Sequence, residues 1–202
     1  MKNKLLYILL ILGLVFSEES FKKLPKFKLK TLDKKKIYLE EFYKDGPIAV
    51  NVWNLSCEPC KKEMKYLNEY HKKYAELGFE VVSINIDTPR SISKVKSYIK
   101  SAKFDFTILS DPRSEFFRKT GGNIMPYLVL INSDGTIFKR KVGFSPGEEK
   151  KLEQEIIDLL VHNKIELPPV IKPKLKTKKL VHNKIELPPV IEPKLKTKKN
   201  AQ

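Results

Sequence analysis

The chain has 202 residues, 32% of them charged and 41% hydrophobic, with a formal net charge of +16. That length holds one domain with a sizeable core plus appendages, and the only two cysteines, Cys57 and Cys60, leave no structural disulfide outside their own motif. Half of the charge excess lies in residues 161–202, where eleven lysines face three glutamates; the body is only mildly basic, which argues against a nucleic-acid partner.

Met1-Lys2-Asn3-Lys4 is a short basic start, and Leu5 to Phe16 is apolar apart from Gly13. A run of about a dozen residues suits the core of a signal peptide better than a full membrane span. Val15-Phe16-Ser17 offers a small-residue cleavage site, with an uncleaved signal anchor as the alternative, and no cysteine stands there for a lipid anchor. In both cases residues 1–17 are expected to export the body, to the periplasm or the outer face of the cytoplasmic membrane.

Leu24 to Leu29 alternates apolar and basic residues, and Ile37-Tyr38-Leu39 follows a lysine-rich turn; together they predict a hairpin ahead of the main unit. Residues 47–53 form an apolar run that predicts a buried strand. A helical pattern then runs from about Cys57 to Leu77 through Met64, Leu67, Tyr70 and Tyr74, and Gly78 ends it. Residues 79–86 predict a second buried strand, parallel to the first because a helix separates them.

Cys57-Glu58-Pro59-Cys60 therefore sits where a strand turns into a helix. Unpaired N–H groups and the helix dipole stabilise a thiolate there and lower its pKa. Pro59 suits the first turn, and two thiols at this spacing cycle between dithiol and disulfide. Half of a zinc site is the competing reading, but it lacks a second cysteine pair.

Residues 91–102 predict a helix, 106–109 a short strand, and Pro112 opens a short helix that stops at Gly121-Gly122. Residues 127–132 and 136–142 predict a hairpin about Asp134-Gly135. Ser145 is expected to cap a final helix that packs through Leu152, Ile156, Leu159 and Leu160. The alternation predicts an α/β fold, a central mixed sheet with helices on both faces and the hairpin as an N-terminal extension.

The domain is expected to span residues 18–160. Residues 160–179 recur at 180–199 with one difference, Lys172 against Glu192. Prolines among lysines predict an extended or disordered tail over 161–202, either an inert duplication or a basic arm toward an anionic membrane surface or an acidic partner. His162 and His182 have nothing around them in sequence to complete a metal site.

With these elements placed, residues 24–160 resemble the thioredoxin-like family of TlpA and ResA type. The resemblance rests on Asn51-Val52-Trp53, Cys57-Glu58-Pro59-Cys60-Lys61-Lys62-Glu63, Met125-Pro126 and Asn132-Ser133-Asp134-Gly135. It implies a thioredoxin fold and thiol–disulfide oxidoreductase activity in the bacterial envelope. Cys57 would be the attacking cysteine and Cys60 the resolving one. Pro126 would be a cis-proline that aligns substrate with Met125, and Trp53, Glu58 and Pro59 would complete the substrate face. Glu63 matches the family's acidic residue near the dithiol; its spacing from both cysteines supports a proton-transfer role, while Lys61, Lys62 and Lys65 leave a solvated helix face open as the other reading.

The implied partners are protein disulfides, among them apocytochrome c, and a membrane thiol donor; reduction is favoured over oxidation. The cysteine pair is its own redox centre, so no organic cofactor or metal is expected. Two positions depart from the family, Ser56 where Trp is usual and Tyr127 where Thr is usual, and both bear on substrate choice. A copper-chaperone reading would want wider cysteine spacing and a histidine between His71 and His162, where there is none; a peroxidase would want Thr at Asn54. An adaptor that works through its tail is the third rival.

Overall fold

The run Ile48-Ala49-Val50-Asn51-Val52-Trp53 has no polar face to show to water, and in the computed structural model it is an interior strand, β3 (Ile48–Trp53), with all six residues buried. The structure describes residues 23–169; the expected export segment at 1–17 and the tail from residue 170 onward lie outside them. β3 pairs in parallel with β4 (Glu80–Asn85) and antiparallel with β6 (Tyr127–Ile131). β5 (Thr107–Ser110) extends the parallel side, and β7 (Ile137–Val142) closes the other as the hairpin partner of β6. The hairpin of β1 (Lys28–Thr31) and β2 (Lys36–Tyr38) joins the same sheet, antiparallel to β5. The strand order is β2-β1-β5-β4-β3-β6-β7.

Strands β3, β4 and β5 succeed one another in a single direction, so the right-handed rule puts both crossover helices on one face. These are α2 (Glu58–Tyr74) and α3 (Ile92–Ala102), and α5 (Glu149–His162) joins them there. Met64, Leu67, Val95, Leu152, Ile156 and Leu160 from these helices pack on Ala49, Trp53, Val81, Leu128 and Leu130 of the sheet. The opposite face, with Val50, Val52, Ile84 and Val129, is covered by short α1 (Glu40–Tyr43) and α4 (Glu115–Lys119) and by Leu24, Phe27 and Leu39. Helices thus lie on both faces, but all three long ones share one.

Three local expectations need correction. The short helix opens at Glu115 rather than Pro112, because Ser114 has φ 53° and the Asp111 carboxylate accepts the Phe116 N–H at 2.9 Å. Ser145 does not cap α5; its own N–H donates to Glu148 Oε2 at 2.8 Å, and the helix begins at Glu149. The boundary drawn after residue 160 falls inside α5. The Asn163 side chain donates to Asn132 Oδ1 at 2.9 Å and Leu167 is buried in the core, so the first part of the first repeat copy belongs to the domain. Ile165 and Leu167 are the physical reason, since each carries apolar surface that the core accepts. Among the described residues no helix is long and apolar enough to cross a membrane.

Gly78 closes α2 through a short 3-10 turn (Ala75–Leu77) in a left-handed conformation, φ 79°, and its carbonyl lies against Gly46 at the entrance to β3. A methyl group at Gly46 would come within 2.0 Å of the Gly78 oxygen, which is backbone and cannot swing away. Gly46→Ala is expected to destabilise the fold by about 1–3 kcal/mol, measured by urea denaturation against wild type.

Candidate active site

β3 ends at Trp53, and the next residues form a pinned loop. Asn54 Oδ1 accepts the Ser56 N–H at 3.1 Å and the Ser56 hydroxyl at 2.8 Å. Asp87, just past β4, accepts the Leu55 N–H at 2.8 Å and an Asn85 side-chain N–H at 2.8 Å. Cys57 then takes the N-cap position of α2, where its Sγ accepts the Cys60 N–H at 3.3 Å. The two cysteines form a disulfide with Cα atoms 5.3 Å apart, so this is the oxidised form. Cys57 stands before the first turn and is partly exposed; Cys60 faces inward and is fully buried.

The register Val52↔Tyr127 sets the start of β6 beside the end of β3, at the same edge of the sheet as the loop carrying Cys57. There the Met125–Pro126 bond is cis. Pro126 is buried, Met125 half-buried, and the Pro126 carbonyl accepts the Gly143 N–H at 2.8 Å. Glu58 and Pro59 are exposed beside the disulfide. Glu58 pairs with Lys61 at 2.6 Å, which holds its carboxyl below the usual range, and the Lys61 ammonium lies over the Tyr98 ring, 5.3 Å from its centroid.

Trp53 is a correction to the expected substrate face. It is fully buried, 5.5 Å from the Tyr98 ring, because strand alternation turns it under the helices. It supports the site from beneath and cannot touch a bound protein.

Glu63 is 0% exposed, and both carboxylate oxygens are buried without a hydrogen bond. The solvated-face reading is thereby excluded: α2 turns Glu63 inward with Met64, Leu67 and Tyr70, while Lys62 and Lys65 point to water. Burial pushes its carboxyl up to about 8; Lys141 pulls it down, and Glu148 and Glu155 push it up. A carboxyl in that range exchanges protons near neutral pH, as the chemistry of thiols requires.

The chain matches the Redoxin family over residues 20–156. It is 32% identical over 164 residues to the thiol-disulfide oxidoreductase ResA of Bacillus thuringiensis subsp. konkukian, an alignment covering 73% of this chain and 93% of that protein. The chain belongs to the Redoxin family. It is a thiol–disulfide oxidoreductase of the ResA and DsbE type. The Chlorobium tepidum crystal structure assigned to a thiol:disulfide interchange protein DsbE aligns with TM-score 0.64 and 27% identity, over 71% of this chain and 99% of that one. StoA from Bacillus subtilis shares the fold, with TM-score 0.54 at 23% identity, over 65% of this chain and 96% of that one.

Sequence reasoning passed over the charges that act on Glu63 in this oxidoreductase: Lys141 on β7, and Glu148 and Glu155 at and within α5. One signal was available. Glu155 interrupts the apolar stripe of Leu152, Ile156 and Leu159, and a buried acid there demands a cation, which Lys139 supplies at 3.0 Å. Among the described residues no cluster of three His, Cys, Asp or Glu side chains is arranged to hold a metal.

The burial of Glu63 couples stability to pH. An unfolded glutamate releases its proton near pH 4.3, whereas the folded one holds it to about 8. Between those values the folded state binds the extra proton, so this group's contribution to stability declines as pH rises through the window. Glu63→Gln is expected to flatten that decline and to be more stable than wild type at pH 8, which urea denaturation of the oxidised proteins from pH 5 to 9 measures.

Proposed function

We propose that this oxidoreductase works beyond the cytoplasmic membrane as a reductase of protein disulfides, with apocytochrome c among its substrates and a membrane thiol as its electron donor. The basic N-terminal start with its apolar run supports export, and the basic tail is read as an arm toward an anionic surface. The observation that carries the reductase reading is Glu63, a buried carboxyl one helical turn beyond Cys60. An oxidant of this fold is made by stabilising the reduced, thiolate form. Glu63 does the opposite: it gives up its proton only near 8, and once ionised its charge opposes a neighbouring thiolate.

The cycle starts from the dithiol. The Cys57 thiolate, favoured by the helix N-terminus, attacks one sulfur of a substrate disulfide; that S–S bond breaks, and the departing substrate thiolate takes a proton. Met125 and cis-Pro126 line the approach, with the exposed rim of Glu58 and Pro59. Glu63, as carboxylate, then accepts the proton of the buried Cys60 thiol. The Cys60 thiolate attacks Cys57 Sγ, and the second substrate sulfur leaves as a thiolate that is protonated in turn. Two electrons pass to the substrate, and the Cys57–Cys60 disulfide is left. The donor thiol restores the dithiol by the reverse exchange, so the pair is its own redox centre.

Cys60→Ala is expected to accumulate mixed disulfides between Cys57 and exported proteins, and Cys57→Ala to accumulate few; non-reducing electrophoresis with mass spectrometry reads both. Capture by neither variant would remove the exchange function. Glu63→Gln is expected to slow reduction of a protein disulfide by about tenfold or more, the scale of a positioned acid–base group. A pH–rate profile identical to wild type would return the reaction to Cys57, Cys60 and Pro126 alone.

A further inference from the structure

β7 is the last strand on its side of the described sheet, yet two of its lysines lie on the face that carries the long helices, and one of them is buried. Lys139 and Lys141 pair in register with Leu130 and Leu128, which lie on the face that the long helices cover. Lys139 is taken by Glu155. The Lys141 side chain is only 10% exposed. Its Nζ donates to the Gly143 carbonyl at 2.7 Å and stands 3.4 Å from Glu148 Oε2. It also lies 5.1 Å over the Phe144 ring, which packs against Tyr66 of α2 at 5.7 Å. A buried ammonium is costly unless paired, so its placement between β7 and the start of α5 calls for a reason.

We infer that Lys141 is a positioning residue of the redox site: it is the cation shared by the buried Glu63 carboxyl and by Glu148, and it ties that charge to the backbone that carries cis-Pro126. The inference rests on the reading of Glu63 as the group that moves the proton of Cys60.

The first link is electrostatic. Glu63 makes no hydrogen bond of its own. The charged groups that act on it are Lys141 of β7, Glu148 ahead of α5 and Glu155 of α5. Lys141 favours the ionised form and the two glutamates oppose it. Glu148 is itself held as an anion, first by the Ser145 N–H and then by Lys141. Lys141 is therefore paired with one permanent anion, Glu148, and bears through its charge on a second, Glu63, that comes and goes with each proton transfer.

The second link runs through the backbone. The carbonyl of Gly143 accepts the Lys141 ammonium, and the N–H of the same residue donates to the Pro126 carbonyl at 2.8 Å. Gly143 has φ 79°, a conformation in which a side chain would be strained. A displacement of the ammonium toward an ionised Glu63 acts on Gly143, which is bonded to the carbonyl of the cis-proline. The charge state of Glu63 and the wall that meets substrate share one cation.

The test uses the full chain with Lys141→Met, which keeps the stem and removes the charge, and Glu148→Gln, which removes the competing anion. Two readouts are taken: the titration midpoint of the Glu63 carboxyl by carbon-detected NMR of the oxidised protein, and the pH–rate profile for reduction of a small disulfide-bonded protein. Lys141→Met is expected to raise the midpoint by about one pH unit or more, the effect of removing a nearby opposite charge. Glu148→Gln is expected to lower it, and the rate profile to follow in both variants. Loss of packing alone would not move the two variants in opposite directions. Should Lys141→Met fail to fold, Glu148→Gln decides by its own sign. Midpoints that move together, or not at all, in folded variants overturn the inference, as does a rate profile that ignores the midpoints. The Glu63→Gln profile separates the cases: if it differs from wild type, the role of Glu63 stands and only that of Lys141 falls; if it matches wild type, both fall.

Discussion

Everything at the redox site depends on β3 being paired on both sides. Its parallel partner β4 delivers Asp87 to the loop before Cys57, and its antiparallel partner β6 delivers cis-Pro126 to the same edge. Neither arrangement survives a one-residue slip, because a slip would turn Ala49, Asn51 and Trp53 to the wrong face of the sheet. The cysteines contribute little to their own placement. They occupy the one junction where a fully buried strand hands over to a helix, and the strand's burial fixes the position of that junction.

Two neighbouring polar side chains beneath α2 fit the same picture. Asn51 and Ser83 are in-register partners on β3 and β4, both buried, with side-chain atoms that make no protein hydrogen bond. With Glu63 they form a polar interior under the active-site helix, where a stability-driven design would have chosen apolar residues. The oxidoreductase keeps polarity close to its thiols and leaves the rest of the same face to Met64, Leu67, Leu128 and the leucines of α5.

The sequence carried the fold well, and for physical reasons that can be named. β3, β4 and β6 are short apolar runs bounded by turn residues, and α2 has a clear three- and four-residue apolar period. The cysteine motif was legible because its neighbours in sequence are its neighbours in space, whereas Met125–Pro126 was legible only through the family resemblance, since its partners are distant in the chain. What escaped was set by tertiary contacts. Trp53 looked like a rim residue beside the motif, and only strand alternation under α3 buries it. Lys141 lies in a run of three cations that reads as solvated, and only the docking of α5 distinguishes the buried Lys141 side chain from the exposed Lys139 and Arg140. The end of the domain was misplaced because a repeated segment looks uniform along the chain, whereas Asn163 and Leu167 meet a core.

The lysines of β7 have a second effect, on how copies of the protein meet. An open sheet ends in two strands whose outer backbone groups are unpaired, and such edges are where chains add to one another and aggregate. Here one edge is β2, three residues long and entered through Lys34, Lys35 and Lys36. The other, among the described residues, is β7, which exposes Lys139 and Arg140 and faces a register irregularity at Leu130 and Ile131. A second chain trying to lengthen the sheet at either end would meet like charge and a short or irregular template. Strand addition is therefore disfavoured at both ends of the described sheet, which leaves the partly exposed Cys57 sulfur at the end of β3 as a point where another chain can bond to this one.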